Sequence, residues 1–386
     1  MANQANAPLQ GLKVLELARV LAGPWIGQTL ADLGADVIKV ESPAGDDTRR
    51  WGPPFVTGPD GEPADAAYFH CCNRGKRSVV ADLRTPEGRR LVLALARRSD
   101  VLVENFKVGA LVPHGLDYQS LHGVNPRLVY CSVTGFGQSG PYAARAGYDL
   151  VIQGMSGIMD ITGDKDGPPQ KIGVALADIL TGIYGVVAIQ SALVQRERTG
   201  CGMHIDMALL DTMVGILANQ GLNYLVSGTV PQRLGNAHPN IVPYQTFETL
   251  DGAITVAVGN DTQFRRLCDV IGTTQLAGDS RFATNQGRVT HREVLVPLLA
   301  ATIRLRHRDE LLAALEQKEI PAGPVNTLAE VFADPQVVAR GMRIELDRIP
   351  SIRTPIVFSE AQLALQRPSP RLGEHTAEVL RELGLA

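Results

Sequence analysis

The sequence has no pair of cysteines at C-x-x-C spacing and no cluster of residues with metal-ligand spacing. Its five cysteines, Cys71, Cys72, Cys131, Cys201 and Cys268, are odd in number. A closed disulfide framework is therefore excluded, no metal site is expected, and reduced thiols in the cytoplasm are. Basic excess is lacking too. The formal net charge is −3, so phosphate neutralisation along a nucleic acid is not expected. The N-terminus, MANQANAPLQ, has neither a basic stretch nor an apolar one, so no secretory signal is expected. No run reaches 18 uninterrupted apolar residues, and a membrane span is not expected. Charge is scarce between Lys171 and Arg196. Across those 24 residues Asp178 is the only charged side chain, in a chain that is 20% charged overall.

What is present is an alternation of strand-like and helix-like runs. "LKVLEL" (12–17), "ADVIKVE" (35–41), "SVVADL" (78–83), "VLVEN" (101–105) and "RLVYCSV" (127–133) read as buried strands. Helical patterns separate them. "GPWIGQTLADLG" has Pro24 suited to the first helical position, and "TPEGRRLVLALARRSD" starts with Thr85 as N-cap and Pro86 at N1. The pattern predicts an α/β fold, a large Rossmann-like domain whose parallel sheet carries helices on both faces. After residue 225 the texture changes. "TFETLDGAITVAVG" predicts a hairpin turning at Asp251-Gly252, and amphipathic helices follow. "IPAGPVNT" (320–327) reads as a linker ending in an N-cap, and "LGEHTAEVLRELGL" as a short C-terminal helix. The expected division is a large domain over 1–224, a smaller α+β domain over 225–325, and a segment, 326–386, returning to the large domain.

Several residues invite chemistry. Gly23, Gly27 and Gly34, with Glu41 closing the second strand, resemble a dinucleotide turn. The G-x-G-x-x-G spacing fails, because "ARVLAGPW" has one glycine followed by proline, so a nicotinamide or flavin site is not expected. Arg74, Lys76 and Arg77 in "CCNRGKRS" form either a solvated basic turn or a phosphate contact. Adjacent residues of His70, Cys71 and Cys72 cannot pair with each other if the segment is extended, since neighbours then point to opposite faces, and a catalytic thiol is not expected there. Asp178 has two readings. It can be the N-cap of the helix that follows. It can equally be an oriented carboxylate in a dry pocket, a usable nucleophile toward an activated acyl group. Burial would raise its pKa while a helix N-terminus would lower it, and the sequence leaves that balance open.

Motifs along the whole chain resemble the family III CoA-transferases. They include "VLELARVLAGPWIGQTLADLGADVIKVE", "NRGKRS", "DVLVENFKVGAL", "TGFGQSGP", "AGYDLVIQGMSG", "GVALADILTG", "IPAGPVN" and "LGEHTAEVL". Through "GDDTRRWGPPFV" and "IVPYQTF" the chain is most similar to the branch acting on dicarboxylates, the succinyl-CoA:glutarate type. The resemblance implies that Asp178, in "ALADI", is the nucleophile. It would attack a donor acyl-CoA to give a mixed anhydride, then take up the released CoA as an aspartyl-CoA thioester. An acceptor acid would reverse the sequence. No permanently bound cofactor is implied; the partners are acyl-CoA, a small carboxylic acid and a second copy of the chain in an interlocked homodimer.

The resemblance also places CoA along the sheet edge. Carried over position by position, the contacts are Leu21 and Ala22; Ser42; Ala81, Asp82, Leu83 and Arg84; Asn105, Phe106 and Lys107; and Ala146, Gly147, Tyr148 and Asp149. Three family cations are replaced, by Ser42, Pro113 and Ala146, and Arg145 is placed to substitute for the last. "GNAHPN", with Gly235, Asn236 and His238, corresponds to the family's glycine-rich loop and is expected to line the acceptor pocket. Arg19, Arg49, Arg50 and Arg233 are candidates for a second substrate carboxylate. Two other readings remain. An α-methylacyl-CoA racemase of the same fold would need a histidine 30 residues before the aspartate, where this chain has Tyr148, a poor base near neutrality. An NAD-dependent oxidoreductase would need the missing glycine spacing.

Overall fold

A computed structural model describes residues 6–58 and 61–385; the N-terminal stretch read for a signal lies in part outside them. The chain divides into two compact units. The first runs to Gly157 and also takes in Ile172–Leu217 and the segment from Pro335 onward. The second is discontinuous, Ile158–Lys171 with Ala218–Asp334, so it includes a stretch outside the contiguous 225–325 read from the sequence.

In the first unit the order is β1 (Lys13–Glu16), α1 (Ala22–Asp32), β2 (Asp36–Glu41), β3 (Arg77–Val80), α2 (Pro86–Ala96), β4 (Val101–Glu104), β5 (Val129–Thr134), α3 (Asp149–Met155), α4 (Leu176–Thr199) and β6 (His204–Ala208). The strands form one sheet in the order β3-β2-β1-β4-β5-β6, with every pair parallel. Both faces are covered. Leu15, Val79, Leu102 and Tyr130 pack with Leu91, Val92 and Leu95 of α2 on one side. On the other, α1 packs against α4. The glycines of "TGIYG" make that approach possible: a Cβ on Gly185 would come within 2.5 Å of Ile26 Cδ1, and one on Gly182 within 3.0 Å of Trp25 Cβ.

Some local expectations shift. Thr85 caps α2 through the Gly88 N–H, with Pro86 following, as the sequence predicts. In α1, however, Pro24 is the third helical residue, after Ala22 and Gly23. Its missing N–H costs nothing there, because none of the first-turn N–H groups has an intrahelical partner. The strand β6, "HIDMA", carries little sequence signal, since this edge strand is only partly buried. The long apolar helix α4 is not wholly buried. Gly182, Gly185 and Ile189 face inward, while Ile183, Tyr184, Val187 and Val194 are exposed. It is also long and apolar enough to cross a membrane by length and composition alone.

The second unit carries β7 (Tyr244–Glu248), β8 (Ala253–Ala257), α5 (Asp261–Ile271) and β9 (Ala322–Pro324). β7 and β8 form the hairpin expected at Asp251-Gly252. "IPAGPVNT" is not a free linker: its centre is β9, paired antiparallel to β8 with Thr255 opposite Gly323. Its end is the expected cap, Thr327, in a reciprocal capping box with Glu330. A compact apolar core of Phe247, Ile254, Phe264, Leu267, Leu299 and Leu315 holds this unit. The chain ends in α6 (Thr376–Leu383), which belongs to the first unit, where Val379 joins the core against α2.

The basic turn "CCNRGKRS" is neither solvated nor a free phosphate contact. Arg74 pairs with Asp32, Lys76 with Glu16, and Arg77 with Asp36, Glu378 and Glu382. All three cations are buried, so they are structural ties between α1, the sheet and α6. The preceding residues are not extended either. Ala67–His70 is a helical turn, Cys71 Sγ donates to the Tyr68 carbonyl at 3.0 Å, and Cys72 is buried.

Candidate active site

In a doubly wound sheet, ligands bind beyond the carboxyl ends of the strands where the strand order reverses. Here the reversal lies between β1 and β4, which are neighbours although β2 and β3 intervene in sequence. A cavity of about 350 Å³ opens at that point. The turn after β1 contributes Arg19 to Ala22, and the turn after β4 contributes Asn105 to Val108. The two turns are clamped together by the Asn105 side chain. Its Oδ1 accepts the Arg19 N–H at 2.9 Å, and its Nδ2 donates to the Arg19 carbonyl at 2.6 Å.

The first turn is strained. Val20 has φ of 71°, a left-handed conformation unfavourable for a β-branched residue. It is held by a buried carboxylate: Asp46 accepts the Val20 N–H at 3.3 Å and is itself paired with Lys39. Strain of order 1–3 kcal/mol persists only where surrounding structure over-determines it, and such positions cluster at functional sites. A third wall comes from Ala146, Gly147 and Tyr148. Gly147 crosses Gly135 so closely that a Cβ on it would stand 2.7 Å from the Gly135 Cα. Only glycine fits on either side of that crossing.

Asp178 lines this cavity. It is not the N-cap of α4. Ala175 occupies that position without a side-chain cap bond, and Asp178 lies in the first turn. Capping is instead supplied by Asp149, whose Oδ1 accepts the Ala177 N–H at 2.8 Å while Oδ2 accepts from Gln153. Among the described residues Asp178 has no hydrogen-bond or ion-pair partner. Burial first, and then the Asp149 carboxylate, push its pKa from the usual carboxylate range up to about 7. Burial thus outweighs the helix terminus, because Asp149 has taken the donor that would have held Asp178 ionised. Tyr68 stands near enough that its hydroxyl is pushed up, by burial first and then by the Asp178 charge.

The pKa shift has a testable sign. An acid raised to about 7 is protonated below that pH, so reactivity that needs the carboxylate falls as pH drops through 7. Asp149→Asn keeps an acceptor for Ala177 but removes the charge. Its acid limb in kcat/KM against pH is expected to move below that of the wild type, toward the ordinary carboxylate range. An unmoved limb would show that Asp149 does not set the ionisation of Asp178.

The remaining sequence candidates separate clearly. Leu21, Ala22, Asn105, Phe106, Lys107, Ala146, Gly147 and Tyr148 line the cavity with Asp178. Asp149 stands behind it as the cap of α4. Ser42 is exposed and outside the lining. Ala81, Asp82, Leu83 and Arg84 are outside it as well; Asp82 and Arg84 pair with each other at 2.8 Å on the surface, Ala81 belongs to the core, and Leu83 packs against it. Arg49 is consumed by Glu41 and Asp65, and Arg50 by Asp47 and the Ala44 carbonyl. Arg19 lines the cavity while bridging Asp47 at 3.0 Å. Arg145 lies over the Tyr142 and Phe136 rings, 4.5 and 5.4 Å from their centroids. Among the described residues neither Arg145 nor Lys107 makes an ion pair, so two unneutralised cations face this cavity.

Gly235, Asn236 and His238 belong to the second unit. Their loop is firmly tied. Arg292 donates to the His238 and Pro239 carbonyls, Asn219 and Asn223 both donate to the Asn240 side chain, and Asn236 donates to Thr246. Arg233 pairs with Asp160 in the same unit. No group of His, Cys, Asp and Glu side chains capable of holding a metal ion occurs among the described residues.

Among the residues that sequence reasoning missed are Val20, Gly135 and Leu209 in the lining and Tyr68 near Asp178. A β-branched residue gives no sequence sign of positive φ, and Tyr68 and Gly135 reach the site from elements distant in the chain.

Comparison with known proteins gives concordant results. The sequence profile of CoA-transferase family III matches residues 9–376. The succinate–glutarate CoA-transferase of Agrobacterium fabrum is 60% identical over 383 residues, spanning 97% of this chain and 96% of that one. The human succinyl-CoA:glutarate CoA-transferase is 41% identical over 382 residues, spanning 97% and 86%. Among solved structures, a CAIB/BAIF family protein from Brucella suis superposes with a TM-score of 0.89 at 61% identity, covering 98% of this chain and 100% of that one.

Proposed function

Because the chain belongs to CoA-transferase family III, we propose that it moves CoA from an acyl-CoA donor to a dicarboxylic acid through an aspartyl-CoA thioester on Asp178. The observation that carries this is Asp178 itself, half-buried in the switch-point cavity, without a partner among the described residues and with its pKa raised to about 7. A partnerless carboxylate at that pKa is available as a nucleophile at neutral pH, and is less stabilised as an anion than an ordinary one. Its Oδ attacks the donor thioester carbonyl, and the C–S bond breaks to give a mixed anhydride and CoA thiolate. The thiolate then attacks the aspartyl carbonyl, expelling the donor acid and leaving aspartyl-CoA. The acceptor carboxylate repeats both steps in reverse and departs as a new thioester. At every stage one acyl bond is activated, first as thioester, then anhydride, then aspartyl thioester, provided water is kept from it.

The names of the similar enzymes support a succinyl donor and a glutarate-like acceptor. Lys107 and Arg145 suit the CoA phosphates, in place of the family cations replaced at Ser42, Pro113 and Ala146. The decisive experiment incubates the protein with succinyl-CoA, traps with hydroxylamine or borohydride, and locates the modified residue by mass spectrometry. Label on Asp178 is expected. CoA transferred to the acceptor with no residue labelled would overturn the covalent route.

The homodimer is part of the same proposal. Its support is the exposed apolar side of α4 together with Leu150, Val151 and Met155 of α3 in the same unit. Apolar surface of this kind is stabilised by a covering partner. Sedimentation equilibrium is expected to give twice the chain mass at micromolar concentration. A monomer there would remove this element.

A further inference from the structure

Glu104 ends the central strand β4 and is only 5% exposed, yet it does not line the Asp178 cavity. Its Oε2 accepts the Phe106 N–H at 2.8 Å. Ser132 is its direct cross-strand neighbour on β5, near enough to favour its ionised form. Ser132 Oγ also lies 2.9 Å from His204 Nε2 on β6. The His204 ring in turn stacks on Tyr118, centroids 5.0 Å apart and planes at 17°. Polar side chains from three neighbouring strands, Glu104, Ser132 and His204, therefore stand together behind a backbone amide of the Asn105–Lys107 turn.

That turn is a partition. One side faces the Asp178 cavity. The other faces a second cavity of about 320 Å³, lined by Glu104, Ser132 and His204, with Lys107 and Val108 shared between the two. A carboxylate at the end of a central strand is costly to bury, and here burial and Asp206 both work against its ionisation. A core apolar residue would fill the space at lower cost, so the position calls for an acceptor aimed at Phe106.

We infer that Glu104 is a positioning residue for acyl-CoA: it fixes the Phe106 amide, and with it the direction in which Phe106 and Lys107 meet the CoA moiety. Displacing the turn would also disturb Arg19, through the Asn105 clamp. The inference rests on the CoA-transfer reading and concerns binding rather than the reacting atoms.

The test compares Glu104→Ala, Glu104→Gln and Ser132→Ala with the wild type, using succinyl-CoA as donor. Glu104→Ala is expected to raise KM for succinyl-CoA roughly tenfold, with kcat within about threefold of wild type. Glu104→Gln keeps an acceptor for Phe106 and is expected to restore KM to within about threefold. Ser132→Ala is expected to fall between them. An unchanged KM in Glu104→Ala, or a loss confined to kcat, overturns the inference. So does a Glu104→Gln variant as impaired as the alanine one. If Glu104→Ala does not fold, the Ser132→Ala KM decides on the same terms. Trapping on Asp178 is run alongside in the wild type. Absent label there defeats the covalent route, whereas label with an unshifted KM defeats only the role given to Glu104.

Discussion

Asp178→Asn is expected to lower kcat by at least about 10³-fold while raising the stability of the folded chain above pH 7. The first half follows from chemistry. An amide neither attacks a thioester at a useful rate nor forms the aspartyl-CoA bond, and loss of a nucleophile removes the covalent route altogether. The second half follows from linkage. The Asp178 carboxyl is raised from its usual 3.8 to about 7 in the folded state. Between those pH values the folded protein therefore holds a proton that the unfolded chain has released. Stability falls as pH rises through that window, and above 7 the folded state bears the whole cost of a half-buried, partnerless anion.

Removing the charge removes that cost. The gain should exceed about 1 kcal/mol at pH 8 and vanish near pH 4, read from denaturant unfolding at the two pH values. The opposite result discriminates sharply. If Asp178 stabilised α4 as a cap, its replacement by alanine would lose about 1 kcal/mol at pH 8. A destabilised Asp178→Ala together with residual turnover would return this residue to a structural role.

Glu16→Ala carries the largest expected cost to the fold. Glu16 is fully buried at the end of β1, between Lys39 at 3.1 Å and Lys76 at 2.8 Å. Lys39 keeps Asp46 as a second anion, and its ammonium remains well above the usual range despite its burial. Among the described residues Lys76 has no other carboxylate partner. Its remaining partners are the Asn73 side chain and the Pro24 carbonyl, and burial already pulls its pKa down. Breaking one partner out of a buried ion pair costs about 3–5 kcal/mol.

The pH dependence carries a sign here as well. In the variant Lys76 sheds its proton in the folded state before the unfolded chain does. The unfolded state then binds more protons, so the deficit narrows as pH rises toward the ordinary lysine pKa. A variant within about 0.5 kcal/mol of the wild type at pH 7 would mean that water reaches this cluster. The consequence for the site is direct, since Lys39 also holds Asp46, and Asp46 holds strained Val20 at the cavity wall.

Local chemistry alone made much of this protein legible. The β/α alternation gave the parallel sheet, because runs of four to six buried residues separated by capped helices have few other arrangements. Thr85-Pro86, Asp251-Gly252 and Thr327 each declared a turn or a cap whose geometry is set within four residues. The isolation of Asp178 in an apolar stretch was also visible, since it is a property of the sequence itself.

Other features required the chain to be folded. Strand order put the crevice between β1 and β4, and no local signal encodes which strands become neighbours. The sequence offered Asp178 as a cap because Asp favours that position. Asp149, 29 residues earlier, took the Ala177 N–H instead, and only then did burial win over the helix terminus. Arg74, Lys76 and Arg77 looked like an exposed basic patch, but acids from four distant segments bury and neutralise them. Local sequence fixes what a residue is able to do; desolvation and the choice of partner, which are sums over the whole fold, decide which of those abilities it keeps.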